Sequence, residues 1–191
     1  MGPLEAALIM LVCLGLVFGV VRPFVAEVLF IPSGSMAPTL EAGDRVLADK
    51  IAYRLADPRR GDLTVFEAPG EGGGLSIKRV AGLAGDTVEI RDGVLHVNGE
   101  PWREPYVDRR LNDGNFFGPV EVPEGHVFVL GDNRSNSLDS RSLGPIPEES
   151  LTGKVSLRLW PPGRIAEDLQ GNSAAGGWSG VRRARCVPLM G

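Results

Sequence analysis

Two serines, Ser33 and Ser35, stand one residue apart in I-P-S-G-S-M-A-P-T-L, residues 31–40. A serine-rich stretch fenced by proline and glycine ordinarily serves only a turn. A serine hydroxyl becomes a nucleophile only when a base takes its proton. The chain offers two histidines for that task. His96 falls within a hairpin pattern and His126 follows Glu124-Gly125 at a turn, so both read as structural. Lys78 is the other candidate base. It lies in S-I-K-R-V-A-G-L-A-G-D-T-V, after Ile77 and close to Val80. Burial at an apolar strand position disfavours the charged ammonium and frees the amine to act. A third polar stretch, G-D-N-R-S-N-S-L-D-S-R at 131–141, follows the apolar V-F-V-L. There Ser137 can hydrogen-bond an amine, while Asp139 and Arg141 can pair and brace the loop. Taken singly, these stretches read as a turn, a pair of surface charges and a solvated loop.

The elements that must position these residues are short. The chain has 191 residues, 43% of them hydrophobic and 23% charged, enough for one packed domain with additions. Its 26 glycines and 15 prolines predict many turns and short strands. A net charge of −4 excludes the basic face that a nucleic-acid partner wants. Cys13 lies in an apolar run and Cys186 near the C-terminus, so no disulfide framework is expected. No C-x-x-C occurs and neither histidine has ligand-type neighbours, so no metal site and no cofactor are expected.

Residues 4–21 carry one charge, Glu5, at their start. As a helix they would span about 27 Å, near the ~30 Å of a hydrocarbon core. No basic region precedes them and no A-x-A site follows, so a membrane anchor is expected over residues 1–22 rather than a cleaved signal. Pro23 breaks the helix, and Phe24, Val28 and Phe30 favour an extended segment. Short strands are then predicted in R-V-L-A-D-K-I, L-T-V-F, H-V-F-V-L and V-S-L-R-L-W. In T-V-E-I-R-D-G-V-L-H-V-N-G-E-P-W, Asp92-Gly93 separates two alternating runs, and Asn98-Gly99 offers a second tight turn. Residues 23–165 are thus expected to form a β-rich domain, and the Gly/Ser-rich 166–191 a flexible tail with R-R-A-R-C near its end.

Together, P-S-G-S-M-A-P-T-L, I-K-R-V-A-G-L-A-G-D and G-D-N-R-S-N-S-L-D-S-R resemble three motifs of the bacterial type I signal peptidases, in the same order. G-D-R-V at 43–46 and G-D-L-T-V-F at 61–66 resemble that family's intervening strands. The resemblance runs from the apolar segment to about Trp160. It implies a mainly β fold of strongly bent antiparallel sheets, preceded by one transmembrane helix. It implies a serine protease, with Ser35 as nucleophile, Lys78 as general base, and Ser33 and Ser35 forming the oxyanion hole. Ser137 would orient the amine, and Asp139 and Arg141 would support its loop. Ile31, Pro32, Met36, Leu40 and Ile77 match positions that line the substrate groove.

The implied partners are the signal peptides of exported preproteins, cut after Ala-x-Ala, and membrane lipid. The implied location is the cell membrane, single-pass, with the catalytic domain extracytoplasmic. Arg22 alone would favour the opposite orientation. Two other readings are a different Ser/Lys processing peptidase of the same fold and a non-catalytic, membrane-anchored β binding module. The region between Lys78 and Gly131 has room for a modest accessory hairpin. The tail has no counterpart in the resemblance.

Overall fold

A computed structural model describes residues 2–69, 74–108, 116–164 and 169. The first element is α1, Pro3–Leu16, with proline at its first turn and the Gly2 N–H donating to Glu5 Oε2 at 3.0 Å. Proline suits that position because its missing N–H has no intrahelical partner there anyway. Most of the helix is Leu, Ala and Met, which are good helix formers. None of its residues is buried.

Here the structure corrects an expectation. The apolar run is not one spanning α-helix. α1 has 14 residues, about 21 Å at ~1.5 Å per residue, and from Val17 to Val25 the chain continues as a wider π-type turn. Glycines at 15 and 19 and a proline at 23 weaken the i→i−4 ladder where it widens. Among the described residues no helix is long and apolar enough to cross a membrane.

From residue 26 the molecule is β. One sheet joins seven strands in the order β1-β2-β11-β3-β4-β9-β10. They are β1 (Ala26–Phe30), β2 (Arg45–Asp49), β3 (Leu63–Glu67), β4 (Leu75–Gly82), β9 (His126–Leu130), β10 (Ile146–Pro147) and β11 (Leu151–Trp160). All of its pairings are antiparallel. β11 slips register against β2 between Val155 and Leu157 and again between Arg158 and Trp160, and β4 slips against β9 between Val80 and Gly82. Bulges of this kind bend a strand and deepen its twist. The sheet curls until β1, at its edge, faces the start of β4 across a hollow that residues of both strands line. The last strand is four residues longer than the sequence pattern at 155–160 predicts, because Leu151–Lys154 pair with β3.

The second sheet has four strands in the order β7-β6-β5-β8: β5 (Thr87–Arg91), β6 (Val94–Val97), β7 (Glu100–Pro101) and β8 (Phe117–Glu121). Both tight turns read from the sequence form. Asp92 and Gly93 take φ of 50° and 73°, and Asn98 and Gly99 take 55° and 83°. Two consecutive positive φ values match the twist of flanking strands, as type I′ hairpins require.

Alternation sorts the buried side chains. One cluster on the concave face of the large sheet holds Ile31, Met36, Leu40, Val46, Ala48, Leu63, Val65 and Val155. A second, with Phe66, Val80, Val127, Val129 and Ile146, lies on the opposite face of β3 and β4. A third, with Val88, Ile90, Leu95, Val97 and Phe128, joins the two sheets. Leu169, within the segment expected to be a flexible tail, is 5% exposed and packs into the first cluster. The rest of the expected tail, 166–168 and 170–191, lies outside the described residues.

Candidate active site

Ser35 sits in the turn that follows β1, and Lys78 sits mid-strand on β4. Ile31 N–H donates to the Asp44 carbonyl and Gly43 N–H to the Ile31 carbonyl, each at 2.9 Å, so both ends of the 31–44 loop are tied together. Leu40 N–H donates to Met36 O at 2.8 Å and makes the loop one helical turn. That turn points Leu40 into the core. It is fully buried there and does not line the hollow, unlike the other expected groove residues. Ile31, Pro32, Met36 and Ile77 do line it, together with Leu29 and Leu75.

Lys78 Nζ donates to Ser35 Oγ at 2.8 Å. Ser33 Oγ lies at 3.4 Å from the same oxygen. Lys78 is 6% exposed, and burial lowers its pKa from the ordinary lysine value. Asp139 and Asp132 oppose that shift without cancelling it. Both carboxylates are already engaged. Asp139 accepts from Arg141 Nε at 2.9 Å, Arg141 Nη2 at 3.0 Å and the Gly131 N–H at 3.0 Å. Asp132 receives the guanidinium of Arg79 through Nε at 2.9 Å and Nη2 at 2.7 Å.

The 131–141 loop holds Ser35 from behind. Asn133 N–H donates to Ser35 O at 3.1 Å, and its Nδ2 donates to Gly34 O at 3.1 Å. Gly131 is required by space. A Cβ there would meet Ser137 Oγ at 2.2 Å and the Ser35 carbonyl at 2.7 Å. Ser137 therefore lies close to the Ser35 backbone, but its hydroxyl is buried with no hydrogen-bond partner among the described residues. The Lys78 amine bonds to Ser35, and no hydrogen bond joins it to Ser137.

Sequence reading missed Asn133, Arg79, Asp132 and Thr39. Arg79 is 1% exposed. Besides Asp132 it donates to the carbonyls of Gly61 at 2.9 Å and Leu169 at 3.0 Å, and stacks 3.7 Å over the Tyr106 ring. Thr39 Oγ1 donates to Asp132 Oδ2 at 2.5 Å, so one carboxylate joins all three motifs. A charged pair K-R on an apolar strand was the available signal, read only for its lysine. The histidines lie elsewhere. His96 Nδ1 contacts Val94 O, and His126 Nδ1 contacts Glu124 O, each at 3.0 Å. Among the described residues no three His, Cys, Asp or Glu side chains gather as metal ligands.

The family model described as signal peptidase, peptidase S26, matches residues 4–160. The chain belongs to this family. Its relatives include a probable signal peptidase I-2 of Synechocystis sp., 43% identical over 150 residues, covering 76% of this chain and 68% of that one. Signal peptidase I of Leptolyngbya laminosa is 42% identical over 155 residues, covering 77% and 75%. Signal peptidase I of Mycobacterium tuberculosis is 36% identical over 201 residues, covering 76% and 68%. As a peptidase S26 member the protein is a hydrolase, a serine endopeptidase of the signal peptidase I type.

Proposed function

We propose that the protein removes N-terminal signal peptides from exported preproteins at a membrane surface, cutting after small residues of the Ala-x-Ala type, with Ser35 as nucleophile and Lys78 as general base. The 2.8 Å contact between a buried amine and the Ser35 hydroxyl carries this reading. It also disfavours a non-catalytic binding module, for which burying an ammonium against a hydroxyl serves nothing.

Substrate enters extended between β1 and β4, adding a strand to the edges that border the hollow. The hollow, about 200 Å³ and lined largely by apolar side chains, accepts small side chains at the first and third positions before the cut. Neutral Lys78 takes the Ser35 proton as Oγ attacks the carbonyl carbon. The oxyanion is held by the Ser35 N–H and the Ser33 hydroxyl. Lys78 then protonates the leaving amine, and the amine departs to leave an acyl-enzyme. Lys78 next activates a water that hydrolyses the ester and returns the proton to Ser35. Ser137 supplies a hydroxyl for orienting the amine as it changes charge, and the Asp139–Arg141 pair fixes that loop.

The 1–22 segment, in which α1 alone is too short to cross but runs on without a break into the π-type turn, serves as a single-pass anchor, with the β domain, 23–165, on the extracytoplasmic side and the tail beyond it. Two observations support contact with lipid. Every described residue of α1 is exposed although most are apolar. On neighbouring strands Phe30 and Trp160 flank Arg45 and Val28 and Leu157 flank Leu47, and these four apolar side chains are exposed. Confinement to the substrate's own membrane raises its effective concentration.

Purified protein incubated with a preprotein, followed by mass measurement of both products, tests the reading. A single cut after Ala-x-Ala is expected. Intact preprotein, or cuts unrelated to small residues, would overturn it.

A further inference from the structure

The hollow beside Ser35 does not end the groove. A second cavity, about 220 Å³, continues it and is lined by Glu27, Leu29, Lys50, Glu67, Leu75 and their neighbours. Leu29 and Leu75 line both cavities. The floor of the second is Ala48 and Val65, 3% and 2% exposed.

The two strands divide this groove into steps. On β1 and the residue after it, 27, 29 and 31 share the concave face, and on β4 so do 75 and 77. Ile31 and Ile77 line only the first cavity. Leu29 and Leu75 form the shared wall. Glu27 lines only the second, as does Glu67, which pairs with Leu75 in the β3–β4 register. Successive steps are two residues, roughly 6.7 Å, apart. An extended substrate presents side chains to one face at the same interval. If its first inward side chain lies at the Ile31 step and its third-residue side chain at the Leu29 step, the fifth falls at the Glu27 step, in the cavity whose wall Glu67 also forms.

Charge then sets the preference. Glu27 is paired with Lys50 at 3.3 Å. Glu67 is exposed and has no ion pair among the described residues. The step carries one carboxylate in excess. We infer that the second cavity is a subsite for the side chain five residues before the cut, and that Glu67 favours a basic side chain there over an acidic one. The inference rests on the processing reading above and adds a specificity determinant to it.

The test uses the full-length protein in detergent and peptides with Ala at the first and third positions and Lys, Gln or Glu at the fifth. For an exposed pair the expected gain in kcat/KM is about two- to fivefold from Glu to Lys, carried mainly by KM and shrinking at high salt. Glu67→Gln should flatten the gradient and Glu67→Lys should reverse it. The same three residues at the fourth position, facing away, should give no gradient that responds to residue 67. A gradient that persists in Glu67→Gln, or one that appears at the fourth position and responds to residue 67, overturns the subsite. Cleavage of all three peptides at equal rates also overturns the subsite and leaves the processing reading intact. No cleavage of any peptide overturns the processing reading and the subsite with it.

Discussion

Lys78 and Arg79 are neighbours on one strand, 6% and 1% exposed, yet their charges are treated in opposite ways. Burial works against both cations. On the arginine side, Asp132 answers with two hydrogen bonds, and those bonds outweigh burial and hold the guanidinium above its ordinary pKa. On the lysine side no carboxylate among the described residues comes within bonding distance. The two nearest acids are taken by arginines, and the lysine pKa falls. A buried cation is stable when paired and reactive when left with a hydroxyl alone. The motifs place one of each kind side by side, Arg79 as frame and Lys78, in the proposed mechanism, as reagent.

The largest break in this contrast is removal of the reagent. Lys78→Ala and Ser35→Ala should each lower kcat/KM by about 10⁴-fold or more, read as loss of product in a preprotein digest, with a native far-UV spectrum. Breaking the frame should act on stability instead. Arg79→Met leaves Asp132 buried and unpaired, and should cost about 3–5 kcal/mol, measured as a lower denaturation midpoint in urea. A full loss of activity with an unchanged midpoint would show that Arg79 acts in the chemistry.

Ser33→Ala probes the reagent side more finely. About 10²-fold in kcat with little change in KM is expected for loss of one oxyanion donor, and an unchanged kcat would remove Ser33 from that role. The pH profile tests the contrast directly. The free amine works, so the rate should rise with pH through an inflection below the ordinary 10.5 of lysine. Arg141→Met frees the Asp139 carboxylate. An added opposite charge favours the ammonium, so the inflection should move up. An unmoved inflection would show that Asp139 is not felt by the lysine. The smallest effect is expected of the histidines. His96→Ala and His126→Ala should each leave turnover within about twofold and stability within about 0.5 kcal/mol. A folded but dead histidine variant would return the base assignment to imidazole.

Much of the frame was legible because it depends on local rules. Asp92-Gly93 and Asn98-Gly99 specify hairpin turns through φ values few other pairs adopt. Strand alternation located β2, β3 and β9 to within a residue or two. The expectation of an uninterrupted spanning helix came from hydropathy, which sums over residues and does not see that Gly15, Gly19 and Pro23 disturb the hydrogen-bond ladder. Leu40 was expected in the groove because it matches a position that lines the groove in the resembled family. Its direction is set by one backbone bond to Met36, which no pattern encodes.

By itself the sequence determined which side chains were available and where the chain must turn: two serines in a tight loop, a lysine in an apolar strand, carboxylates and arginines in one polar stretch. These follow from chemistry within a few residues. Only the tertiary structure decided that residues 35 and 78 meet, that Asp132 and Asp139 are each occupied by an arginine, and that the groove continues past the apolar hollow to Glu67. Those are contacts between segments tens of residues apart. They depend on how far the bulged sheet curls, a sum of small bends in β4 and β11 that no short stretch of sequence contains.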